Sequence, residues 1–258
     1  MSIYTFWPML KKELREQYRT YRLFIAMIVF LLLGISAPIV TWLTPDLLKS
    51  LGNGVTIILP PQTATDALNA YLKNMVQLPA LALILLAMGA IADERSRGTA
   101  VTILTKPVPR SIFVLAKFLA YELTLILSIV LAAAGAFYYT GQLFRPLPIG
   151  PFLTLNVALL AFLTLTLALT ILSSTLVRST IAAGGLAFLG FIVLVVLPDL
   201  NATIGQALPS ALFRTGRVTQ LLAGTASFVD TWQPVLIGFG LAILLIALAC
   251  LIYRYQEI

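Results

Sequence analysis

The sequence predicts an all-α integral membrane protein: six transmembrane helices, an amphipathic interfacial helix at the N-terminus, and a short helix in the loop after the second span. Three observations lead there. Of 258 residues, 60% are hydrophobic and only 10% charged, and the mean hydropathy is +0.98, well above the composition of soluble domains. The apolar residues gather into six runs of a length suited to a hydrocarbon core of about 30 Å. The 17 lysines and arginines flank those runs and form no single basic domain. The net charge of +7 and pI near 9.7 are therefore assigned to membrane topology and not to nucleic acid.

Taken in order, residues 1–22 read as an uncleaved interfacial helix. Leu10, Leu14, Tyr18 and Tyr21 recur every three or four residues, the charged residues take the remaining faces, and Phe6 and Trp7 suit the headgroup level. The first span is 23–44, with Gly34 and Pro38 as expected kinks. Pro45 to Asn74 has the composition of a loop with one or two short surface helices. The second span is 75–92 and the third 118–140, separated by the polar loop 93–117. After a proline-rich turn the fourth span covers 152–177, and only Arg178, Ser179 and Thr180 separate it from the fifth, 181–197. Residues 198–233 lose hydrophobicity without becoming polar. Ala211 to Leu222 can be helical there but is too short and too charged to span, which predicts a re-entrant or surface helix. The sixth span is 234–253, and the whole chain 1–258 reads as one transmembrane domain.

Six spans put both termini on one side. That side carries twelve basic residues, from Lys11 to Arg22, in the 93–117 loop, and at Arg178 and Arg254; the other carries Lys49, Lys73, Arg145, Arg214 and Arg217. The asymmetry orients both termini, and the 93–117 loop with them, toward the cytoplasm of a multi-pass protein of the cell membrane.

That loop has the sharpest local pattern. Asp93, Glu94, Arg95, Arg97 and Gly98 open it, Thr99 to Thr105 forms a short helix, and Lys106-Pro107 ends it because a residue before proline is pushed out of the helical region. Pro109 then suits the start of a new helix through Lys117. Glu94, Gly98, Thr99, Leu104, Pro107, Arg110 and Lys117 fall in an order and spacing that resembles the loop between the second and third spans of ABC-2 type transporter permeases. The resemblance implies an ABC-2 exporter-like fold in which this loop holds a coupling helix seated on a separate ATPase, and in which the N-terminal helix is an elbow touching the same partner. The closing run Tyr253 to Ile258 is similar to a weakened form of the aromatic, basic and acidic ending of that family. The resemblance implies two ATPase subunits, a second copy of this chain, and ATP and Mg bound by the ATPase, with no cofactor on this chain. Val101, Ile103 and Leu104 are the expected apolar contacts, and Glu94 and Arg97 the expected charge contacts. Gly98 supplies the turn, since glycine alone enters left-handed geometry freely. The alternative reading is a solvated cytoplasmic loop whose arginines serve as a topology signal.

Other chemistry is scarce. One cysteine and no histidine leave no internal disulfide, histidine triad or zinc site, no metal site is expected, and no phosphate-cradling glycine loop with its lysine is present. This chain is thus not expected to be an enzyme. Glu122 is the only acidic residue within an expected span. It reads as a pathway residue or as a carboxylate snorkelling toward, or pairing with, a basic neighbour. Thr166, Thr170 and Ser173 line one face of the fourth span and suit either a polar pathway or helix packing, and Gly184, Gly185 and Gly190 suit close helix contact. The alternative to a permease subunit is a self-sufficient secondary carrier or a membrane scaffold. A carrier is poorly supported, because Glu122 is the single candidate for an intramembrane ion ligand, no pair of interrupted helices marks a midplane site and no internal repeat is visible.

Overall fold

The computed structural model describes residues 3–51, 61–96, 109–200 and 207–256, and every regular element among them is helical. They are α1 (Ile3–Arg19), α2 (Arg22–Leu51), α3 (Ala64–Ala87), α4 (Ala92–Ser96), α5 (Arg110–Leu143), α6 (Ile149–Leu176), α7 (Thr180–Leu200), α8 (Thr215–Leu222) and α9 (Phe228–Tyr255), with a 3-10 turn at Pro209–Phe213. Among the described residues, six segments are long and apolar enough to cross a membrane: Arg22–Leu48, Ala64–Ser96, Arg110–Leu143, Ile149–Leu176, Thr180–Pro198 and Phe228–Tyr255.

The bundle is built around α6. Its most apolar stretch is 83% buried, against 17% for α7 and 28% for α2 and α9, as suits a helix that is apolar on every face. It packs on α9, α7, α3 and α5, and α2 is held outside by α5 and α3. Between helices immersed in lipid, attraction comes from close packing, so small residues mark the contacts. A Cβ on Gly34 would lie 2.6 Å from the Ala132 carbonyl oxygen, so the backbones of α2 and α5 approach closely here. In α7, Gly184 lies against the Met88 sulfur and Gly190 against Leu169, whereas Gly185 has open space beside it. The glycines at 184 and 190 are contact positions; the one at 185 is not.

Three local expectations change. First, α3 begins at Ala64, where Thr63 and Asp66 form a capping box, so residues 64–74 belong to a long helix and not to a loop. Asp66, Lys73 and Asn74 lower the hydropathy there, but Ala67, Leu68, Tyr71, Leu72, Met75 and Val76 form a continuous buried stripe. Second, the buried face of α1 is Met9, Leu10, Glu13 and Gln17, while Tyr18 and Tyr21 are more than half exposed. The helix ends at Arg19, and Tyr21, with φ of 59°, turns the chain into α2. Third, the segment expected to hold one helix from Ala211 to Leu222 is split at Arg214 into the 3-10 turn, whose Pro209, Ala211 and Leu212 are buried, and the separate helix α8. Gly238 of α9 leaves the room that Pro209 occupies.

The ends of the bundle differ in chemistry. One end gathers α1, α4, the start of α5, the α6–α7 turn and the C-terminus of α9 through ion pairs and side-chain bonds to backbone. The opposite end holds Thr63, the α5–α6 turn and α8 around a cavity of about 600 Å³.

Candidate functional site

The polar end is organised by an interruption in the second span. Residues 88–91 leave the helix as turns before α4 begins. Backbone groups exposed by such a break must find partners when buried, and Ser174 at the end of α6 supplies them. Its hydroxyl accepts from the amides of Ile91 (3.1 Å) and Ala92 (3.0 Å) and donates to the Met88 carbonyl (2.8 Å). Gly89 leaves room for the Asp93 carboxylate, which a Cβ there would meet at 2.5 Å. That carboxylate in turn accepts the Thr180 hydroxyl at the start of α7.

The break delivers Glu94 to a buried charge cluster. Lys117 of α5, with its side chain 3% exposed, donates to Glu94 Oε1 at 2.7 Å and to Glu13 Oε2 at 2.9 Å. Lys12 approaches the same carboxylates, Glu13 at 2.8 Å and Glu94 at 3.5 Å, from a more exposed position. Burial alone would push the Glu13 carboxyl up, but Lys117 and Lys12 outweigh it and hold it below the ordinary glutamate value. Burial likewise opposes the charge on Lys12, and the hydrogen bond and charge of Glu13, aided by Glu94, raise it above the ordinary lysine value. Lys117 also sits 5.1 Å over the Phe113 ring. Glu13, Glu16 and Glu94 bring carboxylate oxygens within 4.8 Å of one another, a grouping that suits a divalent cation, but the two ammonium groups already supply the positive charge there. Beside the cluster, Gln17 Oε1 accepts from Thr124 (2.5 Å) and Arg22 donates to Tyr121 (2.8 Å), which donates to the Leu86 carbonyl. A cleft of about 420 Å³ opens between α1 and these residues.

A second set of bonds ties the far arm of the loop to the C-terminus. Arg110, the first residue of α5, donates to the carbonyls of Gln256 (2.5 Å) and Arg254 (3.3 Å). Gln256 Nε2 and Arg95 both donate to the Thr175 carbonyl, each at 3.0 Å. Tyr253 is fully buried and stacks on Phe113 with ring centroids 5.4 Å apart. The two arms of the loop, at Glu94–Arg95 and at Arg110, are thereby anchored to α1, α6 and α9.

Among the residues singled out from sequence, Glu94, Arg110 and Lys117 belong to this network. Arg97, Gly98, Thr99, Val101, Ile103, Leu104 and Pro107 lie outside the described residues. Glu122 is elsewhere: its Oε1 accepts from Thr164 of α6 at 2.7 Å, and no basic neighbour pairs with it among the described residues. Thr166, Thr170 and Ser173 are buried, and each donates to the carbonyl four residues back, on Phe162, Thr166 and Leu169 respectively. Glu13, Ser174, Thr175 and Gln256 escaped sequence reasoning. A signal existed for Glu13, which falls on the stripe of positions 9, 10, 13 and 17. Lys117, set between Phe113 and Tyr121 at helical spacing, was the cation to match it.

Comparison with known proteins agrees with this architecture. A family model described as ABC-2 family transporter protein matches residues 7–258. The chain is 24% identical over 140 residues to the uncharacterized transmembrane protein YxlG of Bacillus subtilis (strain 168), a match spanning 53% of this chain and 54% of that one. It is 26% identical over 220 residues to a protein of the same organism named "Putative transport permease YvfS", spanning 80% of this chain and 84% of the relative. The chain thus covers about half the length of the first relative and most of the second.

Proposed function

Because this chain belongs to the ABC-2 family of transporter proteins, we propose that it is the permease subunit of an ATP-binding cassette exporter. Two copies form the pathway and two separate ATPase subunits, which bind ATP and Mg, drive it. The chain lies in the cell membrane with both termini in the cytoplasm, and its 93–117 loop is the coupling element. Symmetric pairing is the common solution for identical subunits, and six spans are half of a two-sided pathway.

The observation that carries this reading is the Glu13–Lys117–Glu94 cluster. A coupling element transmits force only if both of its arms are fixed to the helices it moves. Here the first arm is held by Glu94 to α5 and α1, and the second begins at Arg110, bound to the end of α9. A push on the loop therefore reaches α1, α5 and α9 together. Because Lys117 engages the Glu94 carboxylate from within the chain, Glu94 seats the loop, and contact with the ATPase is left to Val101, Ile103, Leu104 and Arg97. Gly98 and Thr99 shape the turn, and Pro107 ends the helix.

The test is co-purification of the ATPase with wild-type, Leu104→Asp and Gly98→Val chains, with Lys49→Asp as the control, followed by ATP hydrolysis in the complex. Leu104→Asp removes about 1.5–3 kcal/mol of apolar burial and adds a desolvated charge, so the ATPase is lost while the permease still inserts. Equal ATPase recovery from all four chains would reduce the loop to a topology signal. Transport by a complex of one permease and one ATPase would overturn the pairing.

A further inference from the structure

At the end of the bundle away from Glu94, a separate cavity of about 310 Å³ lies between α3, the end of α7 and the start of α8. Asn69, Lys73 and Gln77 recur every four residues and present one face of α3 to it. Arg214 and Thr215 line its other wall. The Arg214 guanidinium is fixed in place, because it donates to the Pro198 carbonyl at 2.7 Å. Arg214 is also the N-cap residue of α8, and no side-chain hydrogen bond caps that helix, so the positive end of its dipole adds to the field in the cavity.

The charge lining this space has one sign. Among the described residues no carboxylate lines it, and Asp66, the one acidic residue of α3, is held by Thr63 in the capping box. Two cations set beside the apolar walls of Val76 and Val195 focus a positive potential between them. Such a site calls for an anion. The donors approach from α3 on one side and from α8 on the other, which suits a tetrahedral group with oxygens pointing several ways better than a planar carboxylate. Depth points the same way. Lys73 lies about 32 Å along the second span from Glu94 at the helical rise, close to the thickness of a hydrocarbon core. With Glu94 at one edge of the core, Lys73 stands at the other, level with the lipid phosphates.

We propose that this cavity binds a phosphate group, with Lys73 and Arg214 as its charged donors and the amides of Asn69 and Gln77 as neutral ones. A bound phosphate bridges α3 to the segment that carries α8. Binding requires neither the ATPase nor a second copy, so its failure would leave the permease reading in place.

The experiment uses the full chain in maltoside micelles, with native mass spectrometry reading the bound fraction. The probe is dioleoyl phosphatidylglycerol, and dioleoylglycerol and oleate are the comparison compounds without phosphate. Phosphatidylglycerol is expected to bind about tenfold more tightly than either, the worth of one charge-assisted hydrogen bond. Lys73→Met should remove that advantage. Ala70→Phe keeps both cations and should abolish binding by filling the cavity, whereas Arg145→Gln, which removes a cation from a different cavity at the same end, should leave binding as in wild type. Added glycerol 3-phosphate separates two sources of the same chemistry. Displacement of the lipid by it assigns the site to a soluble phosphate monoester, and retention of the lipid assigns it to a headgroup; either supports a phosphate site. Binding of oleate or dioleoylglycerol as tight as that of phosphatidylglycerol would overturn the proposal. So would wild-type binding in both Lys73→Met and Ala70→Phe, or an equal loss in Arg145→Gln.

Discussion

Replacing Lys117 by methionine tests the cluster most directly. The substitution preserves the unbranched stem but removes the ammonium that bonds Glu13 at 2.9 Å and Glu94 at 2.7 Å. Breaking a buried ion pair by removing one partner costs about 3–5 kcal/mol, because the opposite charge stays behind in a poorly solvated place. Lys12 remains 2.8 Å from Glu13, but its side chain is 40% exposed, so its compensation is partial and solvent-screened. The expected loss is about 2–3 kcal/mol, including the cation–π contact with Phe113. The assay is equilibrium unfolding in mixed micelles for wild type, Lys117→Met, Glu13→Gln and the double variant. The double variant should recover stability relative to the sum of the singles, with a coupling of about 1–2 kcal/mol. Recovery of the ATPase by Lys117→Met should fall as the loop's first arm is released. Wild-type stability in Lys117→Met, or strict additivity with Glu13→Gln, would refute the claim that this cluster holds the loop. The pH dependence has a definite sign. Because the folded Glu13 carboxyl lies below the ordinary value of 4.5, its contribution is complete above that value and is lost as pH falls through the lower folded one. Acid should therefore destabilise wild type more than Glu13→Gln.

Further outcomes follow from single contacts. Gly34→Ala puts a methyl 2.6 Å from the Ala132 carbonyl and should cost about 1–3 kcal/mol by separating α2 from α5; Gly141→Ala, with open space beside it, should be neutral in the same unfolding assay. Ser174→Ala leaves the amides of Ile91 and Ala92 without their acceptor, a loss of about 1–3 kcal/mol, and hydrogen exchange should accelerate at those two amides before it does in α6. Arg110→Met frees the C-terminal carbonyls of Arg254 and Gln256, so limited proteolysis should cut the C-terminal residues faster while cleavage of the α5–α6 turn is unchanged.

The class of protein, the number of spans and the family signature were legible in the sequence alone. A hydrocarbon core imposes a minimum apolar length on any span, and Glu94, Arg110 and Lys117 keep a spacing that requires no knowledge of the fold to recognise. Both are properties of one stretch of chain read along its length. The partners of those residues were decided by tertiary structure. Glu13 appeared as one charge among many on α1, and only the docking of α1 on α5 turns it inward against Lys117. Ser174 appeared as one hydroxyl among several at the end of the fourth span. It stands apart because the second span breaks beside it and presents two amides that need an acceptor. The early start of α3 was hidden for a related reason: hydropathy averages over all faces of a helix, so a polar face toward one side cancels an apolar stripe toward the other. Periodicity names the side chains that share a face, but what that face meets, and hence whether a buried charge is paired, is settled only when distant segments of the chain pack together.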